Sequence, residues 1–231
     1  MGGIGLAMVM GLFRESANQL LDVGVMKMLG RYGVVARNWR FMAANKVLGL
    51  IVGPFFGFVG FSSIAYIKIY GLDEFWFGVL FAWNAVMSMC GAFISTRLNG
   101  KVSDVKMLWL CLTGSLIGGV GMLIFGGVHY LVFAGAMSLI TLSIASSRHV
   151  RNHLILEQVK SDIGSASSLV VFYQFVLAAG FIWFVSLDWG QPIVVYGLIA
   201  VVVPMVVGLG WKMVSGVLVV GEEVKAEVVE V

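Results

Sequence analysis

Three side chains carry the most suggestive chemistry in this sequence: His149, His153 and Glu157. On a helix they stand at i, i+4 and i+8, on one face. Two imidazoles and a carboxylate so placed can hold a transition metal, as a His-based membrane metalloenzyme would require. Arg148 and Arg151 are interleaved with them, and cations repel a bound cation. The third histidine, His129, lies at the far end of the preceding apolar run. The expected identity of the cluster is therefore a polar helix end, with no metal and no cofactor. Cys90 and Cys111 sit inside apolar runs, without disulfide or metal-ligand spacing. No P-loop and no Ser/His/Asp nucleophile set is present, so neither an ATP-driven pump nor an enzyme is expected.

Neutral polar residues are the other candidates. Asn84, Ser88, Thr113, Ser115, Ser138, Thr141, Tyr173 and Gln174 all fall deep within apolar runs, whereas no Asp or Glu does. Asn84 and Gln174 are the costliest of these to leave facing lipid, so they must face protein or a water-filled cavity. Cavity lining and interhelical hydrogen bonding are equally open readings. Aromatic residues crowd around Phe55, Phe56, Phe58, Phe61, Phe75, Trp76, Phe77, Phe81 and Trp83. They suit a membrane-interface belt or the wall of a lipophilic pocket.

The elements that must position these residues follow from composition. Of 231 residues, 60% are hydrophobic and 12% charged, and the mean hydropathy is +0.98. A soluble domain has about twice that charge, so a water-soluble fold is excluded, as are a disordered chain and a disulfide scaffold. Six charge-poor runs, 41–67, 75–96, 107–127, 130–147, 164–187 and 192–214, are long enough for helices across the hydrocarbon. They are continuous rather than alternating, which argues against a β-barrel. Gly114 and Gly118, one turn apart among 30 glycines, suit close helix packing. Residues 1–12 are apolar but too short to span, and read as the end of a preceding helix. Residues 13–40 mix charge with apolar residues at helical spacing, as an amphipathic segment on an anionic leaflet or a solvated linker would. The acidic, alternating residues 216–231 read as a mobile tail.

Lys and Arg fix the expected orientation. Thirteen lie on the side of segment 13–40 and only Lys68 on the other, with Lys46 just inside the first span. The basic side is then cytoplasmic, both ends lie inside, and the outer loops are short.

Ile69-Tyr70-Gly71-Leu72, followed by Phe77-Gly78 and Phe81-Ala82-Trp83-Asn84-Ala85, resembles the start of helix eight in major facilitator drug exporters of the bicyclomycin-resistance type. Gly91 to Arg97 resembles the end of that helix with its basic loop. Leu154-Ile155-Leu156-Glu157, Gly164-Ser165-Ala166-Ser167-Ser168-Leu169 and Tyr173-Gln174-Phe175 resemble the stretch linking helices ten and eleven. Arg14-Glu15-Ser16 sits where the group has a motif after helix six. The sequence departs from the group at Gln158, where proline is usual, and at His149, Arg151 and His153, where small apolar residues are.

The resemblance covers about residues 10–215. It implies an all-α membrane protein, a six-transmembrane-helix bundle resembling one half of a major facilitator transporter. The segments would be 1–40, the end of a helix plus a cytoplasmic linker; 41–215, the bundle; and 216–231, the tail. The implied function is efflux of small lipophilic or amphipathic compounds by alternating access, proton-coupled only with an N-terminal half. Asn84, Tyr173, Gln174 and Phe81 are the candidates for lining the substrate cavity, with Arg97 and Glu157 as gate or loop anchors. The alternative is a non-transporting membrane protein, truncated or serving assembly. The expected partners are the lipid bilayer, a small-molecule substrate, and an N-terminal six-helix half or a second copy; no nucleic-acid partner is expected. The expected location is the cytoplasmic (inner) membrane.

The topology is testable by single-cysteine labelling in a variant lacking Cys90 and Cys111. An impermeant reagent applied to intact cells should label Asp188→Cys and spare Gly100→Cys. The reverse pattern would invert the orientation.

Overall fold

The computed structural model describes residues 25–159, 162–216 and 218. Segment 1–12, the Arg14-Glu15-Ser16 motif and all but two residues of the 216–231 tail lie outside the described residues. Every regular element among the described residues is helical. Helix α1, Val25–Arg37, precedes six helices long and apolar enough to cross a membrane. These are α2, Trp39–Ile69; α3, Glu74–Leu98; α4, Asp104–Phe125; α5, Tyr130–Leu156; α6, Ile163–Val185; and α7, Pro192–Ser215. The chain is thus built as a multi-pass membrane protein. Helices satisfy every backbone group internally, which lipid demands.

The helix boundaries have local causes. The Asp73 side chain caps α3 by accepting from the Trp76 N–H at 2.8 Å, and Asn38 caps α2 by accepting from Phe41. Gly71 and Gly100 take left-handed φ values of 68° and 77° in the turns on either side of α3. Pro192 opens α7 at a position where its missing N–H costs nothing. Within α2, Pro54 has no N–H to give the Leu50 carbonyl. The Gly53 N–H bonds that carbonyl instead, and the stretch Leu50–Val52 tightens to a 3₁₀ turn. The last turns of α2, Ile64–Ile69, open into a π-helix.

Packing centres on α5, which lies against α2, α3 and α4; α4 in turn packs on α7, and α2 on α6. Small residues make these approaches close. A Cβ on Gly91 of α3 would overlap the Leu142 carbonyl oxygen of α5, and Ser146 of α5 donates to the Gly91 carbonyl at 2.9 Å. Gly114 and Gly118 of α4 face Ser143 and Ile140 of α5, so this pair seats a neighbour within the bundle. Pro204 of α7 leaves the Ala200 carbonyl without its intrahelical donor, and Gly119 of α4 presses against that carbonyl. Gly49, Gly53 and Gly60 of α2 receive Tyr173, Phe181 and Ile182 of α6.

The observed spans differ from the expected ones most at α5. The apolar run stops at 147, but the helix continues to Leu156 and carries the His/Arg cluster with it. Hydropathy falls there while the helical periodicity of buried residues continues through Val150, Leu154 and Ile155.

The core divides into two halves. Toward the Lys68 end, Phe58, Phe61, Tyr66, Phe133 and Tyr196 pack ring on ring. The Tyr196 hydroxyl donates to the Pro54 carbonyl at 2.8 Å, and Tyr70 donates to the Gly126 carbonyl. Toward the basic end, where residues 39, 98, 104, 156 and 163 come together, polar groups enter the interior.

Overfilling the α3–α5 contact tests this packing. Gly91→Ala should cost about 1–3 kcal/mol of stability. Gly121→Ala, where a Cβ meets open space, should cost nothing because alanine is the better helix former. Thermal unfolding in detergent compares them, and equal melting temperatures would contradict the contact.

Candidate functional site

A partly polar cleft of about 420 Å³ lies between α2, α3, α5 and α6. Phe55 and Phe56 of α2 and Phe175 of α6 form its apolar walls, and Ser88 and Ala92 of α3 close one side. Arg148, Arg151 and Asn152 of α5 and Gln174 of α6 supply the polar groups. No carboxylate is among the residues lining it.

Two contacts already described shape this cleft. Gly91 draws α3 onto α5, which sets Ser88 and Ala92 beside the Arg148 turn. The glycines of α2 let α6 lie close, which turns Gln174 and Phe175 toward α5. The polar groups they gather are poorly satisfied. Arg151 is 2% exposed, and its Nε and Nη1 have no hydrogen-bond partner among the described residues. The same holds for Asn152 Oδ1 and Gln174 Nε2. Arg148, one turn from Arg151, is exposed and adds to the positive charge.

Of the six residues expected to line the cavity or anchor its loops, Gln174 lines this cleft; Ser88, Phe55 and Phe56, also noted in the sequence, line it as well. Tyr173 turns away to α2, where its hydroxyl donates to the Lys46 carbonyl at 3.4 Å and its ring covers Gly49. Asn84 is 6% exposed, with Oδ1 lacking a partner among the described residues, and lies outside the cleft lining. Phe81 stacks on Phe58 at 6.1 Å and is 36% exposed. Arg97 holds its guanidinium 4.9 Å from the centre of the Phe93 ring on its own helix. Glu157 ends α5 beside the α3–α4 turn, with Oε2 buried and without a hydrogen-bond partner among the described residues.

The His/Glu constellation is drawn apart by other partners. His153 Nδ1 lies 2.7 Å from Asp104 Oδ2, at the start of α4. His149 lines a separate groove with Ser95, Asn99 and Arg148. Among the described residues, no three of His, Cys, Asp and Glu are placed to hold a metal. Within this polar helix end, Arg151 lies inside the bundle while Arg148, His149 and His153 are exposed. Ile140, Ile144, Ser147, Arg151 and Leu154 step by four and three residues along one buried stripe. The spacing carried that signal, but residue type masked it.

The basic end is tied together by polar bonds. Asp162, in the left-handed conformation with φ 61°, caps α6. Its carboxylate accepts from Nε and Nη2 of Arg31 on α1, both at 2.6 Å. This hydrogen bond holds the Asp162 carboxyl below the usual carboxylate range and raises Arg31. Asn38, between α1 and α2, donates to the Gln158 carbonyl at 2.8 Å.

The chain matches no family model. It is similar to a curated protein of Haemophilus influenzae described as a bicyclomycin resistance protein homolog. The two are 27% identical over 159 residues, covering 64% of this chain and 40% of the other. The chain therefore spans well under half the length of that relative.

The Arg31–Asp162 bond gives a pH-dependent expectation. A carboxyl whose folded value is depressed contributes fully above its unfolded value, about 3.9, and loses that contribution as pH falls through the folded value. A spin label at exposed Val34→Cys should gain mobility in that acidic window, and at neutral pH in Asp162→Asn. Unchanged mobility in Asp162→Asn would show that the bond does not hold α1.

Proposed function

We infer that this chain forms one wall of a membrane exporter for small lipophilic or amphipathic compounds. The observation that carries this reading is the cleft itself, a partly polar cavity with aromatic walls inside a membrane-spanning bundle. Ligand sites combine an apolar lining with a few convergent polar groups in this way. The similarity to the bicyclomycin resistance protein homolog supports the same reading.

The mechanism would be alternating access, with two six-helix units rocking about a site between them. Only about a sixth of the α3 and α6 spans is buried within the chain, 17% for each. Both flank the cleft, so a second unit placed there would close it. That unit is an N-terminal six-helix half or a second copy of this chain. Proton coupling would come from the partner, because no carboxylate lines the cleft and burial of an acid is the usual means of coupling. Gln174 is the candidate substrate contact. Asn84, Tyr173 and Phe81 shape the helices around it, and Arg97 and Glu157 anchor the loops at the basic end. The resemblance in sequence supports a cytoplasmic membrane location, and the Lys/Arg bias supports both ends of the bundle inside.

Vesicle transport of bicyclomycin and of amphipathic compounds of either charge tests the reading. The chain alone should give background flux, and co-expression with an N-terminal six-helix half should give gradient-dependent export. Gln174→Leu should lower that export several-fold, with Asn84→Leu acting mainly on protein yield. Gradient-driven transport by the chain alone, abolished by Glu157→Gln and by an uncoupler, would overturn the need for a partner. Background flux from both preparations would overturn the exporter reading.

A further inference from the structure

Arg151 is the one fully buried charged side chain among the described residues. A charge taken out of water is costly unless a counter-charge and hydrogen bonds replace its hydration. Neither ion pair among the described residues involves it. Its charged neighbour in the cleft, Arg148, has the same sign. Gln174 Nε2 is a second buried donor left without an acceptor. Phe55, Phe56 and Phe175 line the same cleft. The cleft thus offers donors, positive charge and aromatic surface within one cavity.

From this arrangement the geometry points to an amphipathic anion as the occupant of the cleft, with its acid group on Arg151 and its apolar body against Phe55, Phe56 and Phe175. A carboxylate or phosphate supplies the acceptors that the guanidinium and the Gln174 amide lack, and charge-assisted bonds of this kind are the strong ones. The volume of about 420 Å³ is within the usual range for a small organic ligand. Two arginines disfavour a cation of the same shape, so the site discriminates by repulsion as well as by attraction. The inference deepens the exporter reading by naming a substrate class and rests on the cleft being its site. An acid group on an apolar body can come from a dissolved solute or from an anionic lipid of the leaflet.

Binding measurements separate this proposal from the transport reading. The full chain in phosphatidylcholine nanodiscs is titrated with radiolabelled 1-naphthoate, neutral 1-naphthamide and cationic 1-naphthylmethylammonium. Naphthoate should bind saturably, the amide at least ten-fold more weakly, and the cation weakest. Arg151→Met should weaken naphthoate at least ten-fold. It should also raise the melting temperature of the ligand-free protein, because it removes an unpaired buried charge. Arg148→Gln and Gln174→Leu should weaken naphthoate several-fold, and they carry the test if Arg151→Met does not fold. Nanodiscs containing phosphatidylglycerol distinguish the sources: loss of naphthoate binding there identifies a lipid occupant, and unchanged binding a solute. Equal affinity for the three compounds, or naphthoate affinity unchanged by these substitutions, overturns the proposal. So does a fall in melting temperature in Arg151→Met that Glu15→Gln or Asp22→Asn reproduces, because the chain's own carboxylate would then be the partner. Transport that persists without anion preference would remove this inference and leave the exporter reading standing.

Discussion

The contact between Gly91 and the Leu142–Ser146 turn of α5 is the constraint on which the arrangement of the polar interior depends. In lipid there is no hydrophobic drive to bring helices together, so they associate through van der Waals contact and hydrogen bonds at short range. Gly91 permits that range, and the Ser146 hydroxyl uses it by bonding a carbonyl of the neighbouring helix. A larger residue at 91 would push α3 outward, and the wall formed by Ser88 and Ala92 would leave the Arg148–Asn152 stretch. The same logic recurs where Gly119 meets the carbonyl freed by Pro204. A backbone group that one helix cannot satisfy becomes a docking point for the next.

Much of the architecture was legible because lipid imposes a simple test, continuous length without charge. The six apolar runs and their order follow from it. The end of α5 did not, since hydropathy registers residue type and the helix is held there by periodicity. Arg151 shows that difference: by type it belongs to a polar helix end, and its place on the Ile144–Leu154 stripe puts it inside. Gln174 was legible because a buried amide in lipid must face something polar. Tyr173 is one residue away and therefore about 100° around the helix, which turns it to Gly49 instead. Polarity alone could not separate these neighbours without knowing which face α2 covers.

The interior is also graded along the membrane normal. The ring cluster about Phe133 and Tyr196 fills the end near Lys68 with large, rigid groups, and the hydroxyls of Tyr196 and Tyr70 there are bonded to carbonyls. The other end holds arginine and amide side chains with open hydrogen-bonding capacity. A bundle so divided is sealed toward one side by packing and is receptive toward the other. Conformational change is then expected where the polar groups are and resisted where the rings are.

Helix α2 also provides a depth gauge. Lys46 and Lys68 are both exposed and bracket 21 residues, a rise of roughly 32 Å, close to the hydrocarbon thickness of about 30 Å. Their ammonium groups can snorkel to the two headgroup layers, which marks where acyl chains begin and end. Tyr173 bonds the Lys46 carbonyl, so Gln174 and Phe175 lie within about a turn of one such boundary. The cleft therefore straddles the level at which a leaflet changes from glycerol and headgroup to hydrocarbon. An amphipathic molecule dissolved in that leaflet keeps its polar end at this height, so on the proposed function the cleft would be open to it by lateral diffusion, without passage through water.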